Sequence, residues 1–319
     1  MPVRFTSPGL AGQTSSLLKK HQWQVDVAYR HLYADKWFVG TDVREDAAPF
    51  GHPLYLNIHS VDLGVEYGVT NKLSMVLTLP FSYGTHSRYY QDLQRHEVSS
   101  SGLGDISVVG NYWLRDPGKA SVGNVAFGLG VKTPSGPNTV RRQVFLTNGQ
   151  VLNPPVDQSI QLGDGGWGVI GQAQAFRQIY RRLSGYTYEW YLLSPKEMTN
   201  VPSPIKALRL SVPDVYSVRV GASYLVLPKR GLSLSFGSRV DGIRVKDLVG
   251  GHDGFRRPGY TLYMEPGVAI GRGLTTFTLS VPFRVHQDFK RGPEDAEYNF
   301  AGGGDLANTL VLAGYSVRF

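Results

Sequence analysis

Residues 306–319 read LANTLVLAGYSVRF. Taken alternately, Thr309, Val311, Ala313, Tyr315, Val317 and Phe319 form one set; Asn308, Leu310, Leu312, Gly314, Ser316 and Arg318 form the other. A strand points successive side chains to opposite faces, so the first set makes a largely apolar face. The second is small or polar, with Leu310 and Leu312 as exceptions. The stretch ends on an aromatic residue. In water an apolar terminal strand frays. In a transmembrane barrel the last strand must close against the first, and its aromatic end sits at a membrane interface. A single strand fits a buried edge strand of a soluble sandwich equally well, so the rest of the chain decides.

The same alternation recurs upstream and predicts about twelve strands, each long enough to cross a bilayer when tilted. They fall at 22–33, 56–69, 73–83, 105–114, 122–133, 166–177, 182–193, 215–227, 232–242, 260–271, 274–285 and 306–319. In the third, Leu73, Met75, Leu77, Leu79, Phe81 and Tyr83 share the apolar face. Pro80 falls on the polar face at the loss of a ladder hydrogen bond. The sixth is the weakest. The seventh sets Tyr186, Tyr188, Trp190 and Leu192 on the apolar face and Glu189 on the polar one.

Connections alternate long and short. The long ones are 34–55, 84–104, 134–165, 194–214, 243–259 and 286–305. The short ones carry turn residues, such as 70–72, Asp116-Pro117-Gly118 and Arg272-Gly273. Outer-membrane barrels show this asymmetry, with long extracellular loops and short periplasmic turns. An even strand number puts both termini on the periplasmic side. Aromatics gather at two levels, a further mark of such barrels. Tyr33, Trp37, Tyr83, Trp190, Tyr216 and Tyr260 lie toward the loops; Tyr67, Tyr112, Tyr224 and Phe319 lie toward the turns. The expected fold is therefore all-β, a transmembrane antiparallel up-and-down β-barrel. Residues 22–319 form its single domain, and 1–21 a periplasmic N-terminal segment. Residues 1–20 lack the apolar core of a signal peptide, so export implies a signal already removed or lying upstream of the assigned start.

Composition agrees. The chain has 319 residues with 38 Gly, 18 Tyr and no Cys. It contains no apolar run of about 18 residues, hence no transmembrane helix. Absence of cysteine excludes a disulfide scaffold and a thiolate metal site. The net charge of +8 would raise nucleic acid as a partner of a soluble protein. Here the basic pairs, such as Arg181-Arg182 and Lys229-Arg230, sit mostly in connections with no nucleic-acid fold around them, so nucleic acid is not expected.

On these registers the polar face carries Asp26, Asp62, Glu66, Glu189, Asp241 and Glu265 against Arg30, Lys132, Arg219, Arg239, Arg284 and Arg318. Two readings follow: a lumen propped by paired charges, or a constriction and binding site for a polar or anionic solute. Gly-Asp steps recur at 104–105, 163–164 and 304–305, which turn chemistry explains. Asp42, Glu45 and Asp46 lack calcium-ligand spacing. Arg256-Arg257 with Tyr260 reads as a solvated loop pair or a contact to lipid phosphate. No G-x-S-x-G or H-E-x-x-H occurs. A hydrolase would need a pair such as Ser87 with His86 or His96. No catalytic residue, metal or cofactor is expected.

Several stretches together resemble bacterial outer-membrane barrels of the transporter family related to the meta-pathway phenol-degradation proteins. They are HQWQVDVAYRHLYADKWFVG (21–40), LTLPFSYG (77–84), GLGDISVVGNYWL (102–114), VKTPSG (131–136), GDGGWG (163–168), RRPGYTLYMEPG (256–267) and GGGDLANTLVLAGYSVRF (302–319). The resemblance implies a passive channel for small hydrophobic or aromatic molecules in the bacterial outer membrane. Its partners would be outer-membrane lipid, the solute and the barrel-insertion machinery, which reads the terminal aromatic. The alternatives are an outer-membrane hydrolase of lipid or peptide, and a structural or adhesive barrel acting through its loops.

Overall fold

The computed structural model describes residues 18–117, 122–203, 209–305 and 307–319. Most of the N-terminal segment, Gly118 and Leu306 lie outside them. The chain is all-β, closed into an antiparallel barrel of twelve strands. These are β1 (Trp23–Ala34), β2 (Tyr55–Gly68), β3 (Leu73–Tyr89), β4 (Ser107–Trp113), β5 (Gly123–Lys132) and β6 (Gly168–Tyr180). Then come β7 (Leu183–Leu193), β8 (Val215–Leu227), β9 (Leu232–Ile243), β10 (Gly259–Arg272), β11 (Thr275–Ser280 and Phe283–Phe289) and β12 (Thr309–Arg318). The last strand closes on the first, from Gln24 opposite Arg318 to Tyr33 opposite Thr309. Every neighbour in the wall follows in chain order, as an up-and-down barrel requires.

Alternation sorts the side chains as the sequence predicts for eleven of the strands. Outward-facing Leu77, Phe127, Leu129, Val220, Phe236 and Tyr315 are exposed. Their inward neighbours Asn111, Lys132, Arg219, Arg239 and Glu265 are buried. A surface of large exposed apolar residues around a polar interior inverts the soluble pattern and suits a lipid surround.

Strand β7 is the exception. Tyr188 stands opposite buried Arg219, and Glu189 opposite exposed Val218. Cross-strand partners share a face, so Tyr186, Tyr188, Trp190 and Leu192 point inward, and Glu189 points outward with Thr187 donating to it. Alternation defines two faces without saying which is which, so the apolar set reads as lipid-facing. Here the lumen itself is apolar: Trp190 and Leu192 pack with Val109 and Ile170. Trp190 accordingly leaves the outer aromatic girdle. So does Trp37, which is buried in the first loop. Tyr33, Tyr83, Tyr112, Tyr224 and Phe319 remain exposed at the two levels.

Several connections are more structured than predicted. β3 runs on past Tyr83 and pairs with the strand Arg95–Leu103, making a hairpin that rises beyond the wall. β11 breaks at Val281-Pro282, since proline cannot donate to a ladder, then resumes to Phe289. In the first loop, Trp37–Val39 pairs with Gly304–Asp305 of the last and with Asp42–Val43.

Candidate functional site: the lumen and its loop-side cavity

A charged belt runs round the lumen, at mid-height to loop-side on β8–β10 and reaching down to the turn side on β12, β1 and β2. On β8–β11, the Arg219 guanidinium donates to both oxygens of Glu265, through Nε at 3.1 Å to Oε2 and through Nη2 to Oε1. The Ser280 hydroxyl donates to the same carboxylate at 2.8 Å. Arg239 Nε donates to Asp241 Oδ2 at 2.7 Å, and Ser217 Oγ donates to its Oδ1 at 2.7 Å. On β12, β1 and β2, Gln24 Nε2 donates to Asp26 at 2.9 Å and Arg30 Nη2 to Ser60 at 3.3 Å. Asp62 and Glu66 lie on the same inner face, and Arg318 stands opposite Gln24. Asp26, Arg30, Asp62, Glu66, Arg219, Arg239, Asp241 and Glu265 are each buried. Between these two sectors the belt is neutral, where Tyr188 donates to Gln172 at 2.9 Å and Gln172 to Asn111. Arg284 sits higher, its guanidinium 4.3 Å from the Phe38 ring and bonded to Gln287 and Asn308.

Lys132 belongs to another structure. Its side chain is fully buried at the neck of the loop that joins β5 to β6. It donates to Asp105 at 3.1 Å, to Asp164, and to the Gly166 carbonyl at 2.7 Å. Asp105 also accepts from the Gly136 and Asp164 amides at 2.9 and 3.1 Å. The strands pack so tightly here that a Cβ on Gly163 would strike the Gly136 carbonyl oxygen. Three of the stretches quoted above, 102–114, 131–136 and 163–168, thus meet at one clamp. Turn chemistry alone did not account for Gly104-Asp105 and Gly163-Asp164. Their carboxylates neutralise a cation contributed from 27 and 32 residues away.

The clamp aims that loop into the barrel. Val144, Leu146, Val156 and Ile160 pack on Leu32, Leu56, Ile58, Tyr263, Leu310 and Leu312 of the wall, with Tyr90 and Val98 of the raised hairpin. Leu310 and Leu312, the two exceptions on the polar face of the last strand, are the seat of this plug. Asp157 caps its short turn, accepting from the Ser159 amide at 2.8 Å. Asp92, at the hairpin tip, accepts from the Thr147 amide at 2.9 Å and from His96 at 2.8 Å. Burial alone would raise the Asp92 carboxyl, but hydrogen bonds from Thr147, His96 and Gln94 hold it down to about 2.

Beside the plug lies a cavity of about 200 Å³. Its walls are Leu54, Leu56, Leu192, Val215 and Ile243 from the barrel, Pro154 to Val156 from the plug, and Leu210, Pro213 and Phe255 from the next loops. Arg88, Asp157, Gln158, Ser159, Asp164, Ser203, Arg256 and Arg257 supply its polar groups. Arg256 is neither solvated nor at the lipid rim. It forms a buried two-bond pair with Asp247, at 2.9 and 2.8 Å. Arg257 donates to the Gly303 carbonyl and lies 4.5 Å from the Trp37 ring. Composition could not separate these two from any exposed basic pair; a signal exists in Asp247, whose carboxylate lies within reach along the same loop.

Ser87 and His86 are successive strand residues and point to opposite faces. His96 is engaged by Asp92, so no Ser–His pair forms among the described residues. No group of acidic and histidine side chains able to hold a metal occurs among them either.

No family model and no curated protein matches the chain by sequence. Among solved structures, an outer-membrane channel from Pseudomonas putida F1 superposes with a TM-score of 0.64 at 16% identity, over 99% of this chain and 100% of that one. The β domain of the Bordetella autotransporter BrkA gives 0.48 at 8% identity, over 94% and 100%. A Pseudomonas aeruginosa FadL homologue gives 0.43 at 10% identity, over 97% and 96%. The latter two are too distant to inform any detail. The first matches the whole barrel: this chain has the fold of an outer-membrane channel.

Proposed function

We propose that this protein is an outer-membrane channel that admits small apolar or aromatic molecules through the loop-side cavity and passes them along the charged belt. The observation that carries the reading is the cavity. It is mainly apolar, it lies inside the lumen rather than in a soluble core, and an enclosed apolar space of about 150 Å³ is already enough for a benzene ring. The likeness to a channel across the whole chain supports it. In this reading Asp26, Arg30, Asp62, Glu66, Arg219, Arg239, Asp241, Glu265, Arg284 and Arg318 form the constriction, and Lys132 holds the plug. The outward face contacts lipid, and the long loops face outside the cell. No step calls for a catalytic group.

Calorimetry on the protein in lipid nanodiscs tests it with toluene as the probe. Wild type is expected to bind, and Leu192→Trp, which fills the cavity, is expected to lose binding. Wild type that binds no more toluene than empty nanodiscs removes this reading.

A further inference from the structure

The charges around the cavity do not cancel. Asp164 is taken by Lys132. Arg256 is taken by Asp247. Asp157 faces His86 and Arg257, and although burial alone would raise its carboxyl, they and the Ser159 amide, which donates to it at 2.8 Å, hold it at about 2, so it is ionised and matched. That leaves Arg88. Its guanidinium lies 4.6 Å from the centre of the Tyr90 ring and has no carboxylate partner among the described residues. The Ser159 hydroxyl also lines the cavity, is buried, and has no hydrogen-bond partner. A buried donor without an acceptor is costly to keep. A half-buried guanidinium over an aromatic face is poised for a planar anion, which it can hold through two parallel bonds.

We propose that the cavity takes a small apolar acid, a ring or short chain ending in one carboxylate, with the carboxylate held by Arg88 and Ser159 and the apolar body by Leu56, Leu192 and Phe255. This rests on the channel reading and narrows its substrate class. A neutral hydrocarbon would satisfy the apolar walls and leave both donors unmet. A dianion would bring a second charge that Arg88 does not match and would meet Asp157.

The probes are benzoate and toluene, titrated by calorimetry into the protein in nanodiscs at neutral pH. Benzoate is expected to bind more tightly than toluene. Arg88→Gln should weaken benzoate on the order of tenfold or more, since hydrogen bonds to charged groups are the strong ones. Toluene should be unchanged in that variant, which also shows that the cavity is intact. Arg88→Lys should recover part of the loss. Ser159→Ala, a smaller change to the same site, should weaken benzoate alone. Toluene binding as tightly as benzoate, or benzoate indifferent to both Arg88→Gln and Ser159→Ala, overturns the proposal and leaves the channel reading standing. Failure of both probes on wild type overturns the two together.

Discussion

Two parts of the lumen are filled by different physics. The charged belt is filled by the wall itself: Arg219 reaches past β9 to Glu265, and Arg239 pairs with Asp241 on its own strand. The loop-side end is filled by a separate piece of chain, whose Val144, Leu146, Val156 and Ile160 rest on apolar wall residues. Charged closure is short-range and inseparable from the barrel. Apolar closure is modular. A narrow barrel can therefore hold a rigid charged belt and a replaceable plug in one lumen.

The largest expected effect comes from removing the module. Replacing residues 138–161 by a short Gly-Ser linker keeps the clamp of Lys132, Asp105 and Asp164 and all twelve strands. The variant should still assemble, and its single-channel conductance in a planar bilayer should rise sharply. Unchanged conductance would mean that the charged belt alone sets the resistance, and the contrast between the two parts would lose its functional meaning.

The belt should respond in the opposite way. Glu265→Leu strands Arg219 in a buried site, which costs about 3–5 kcal/mol when one member of a buried pair is lost. Restoring an apolar match with Arg219→Met in the same chain should recover most of that loss. Urea unfolding in lipid vesicles measures both. A single variant as stable as wild type would show that water reaches the belt and screens the pair.

The smallest effect concerns the tie between the raised hairpin and the plug. The Asp92 carboxyl sits below the ordinary carboxylate range when folded, so the tie contributes above that range and is lost as pH falls through about 2. The Thr147 amide should therefore stay protected from hydrogen exchange at pH 4, lose protection near pH 2, and lack it at every pH in Asp92→Ala, which removes the acceptor. Protection that persists in Asp92→Ala would show that the plug is held by its apolar seat alone.

The wall was legible in the sequence because its code has period two and is repeated about twelve times. Strand ends moved by a few residues, and the closing pair of first and last strands is as expected. β7 failed because period two fixes a pair of faces and leaves their sense to context. Trp190 reads as a girdle residue until Arg219 beside Tyr188 fixes the inner face. The lumen charges were legible one by one: of the twelve, ten lie along it, Glu189 turns outward and Lys132 sits at its loop-side neck. Lys132 was placed on the correct face, but its work as a clamp depends on Asp105 and Asp164, whose meeting no local pattern encodes. The cavity was invisible for the same reason. Its walls come from β2, β7, β8, β9 and three loops, each apolar residue unremarkable alone.

The plug also sets an order of assembly. It lies between β5 and β6 in the chain, yet its seat is built from β1, β2, β10 and β12. Part of that seat, Leu310 and Leu312, lies far beyond the plug in the sequence, and it stands beside Leu32 only after β12 has paired with β1. Closing so long a loop is entropically slow, and nothing local rewards the plug beforehand. The barrel therefore forms open and is stoppered afterwards. During refolding into a planar bilayer, leaky channels should precede quiet ones, and the variant without residues 138–161 should never reach the quiet stage.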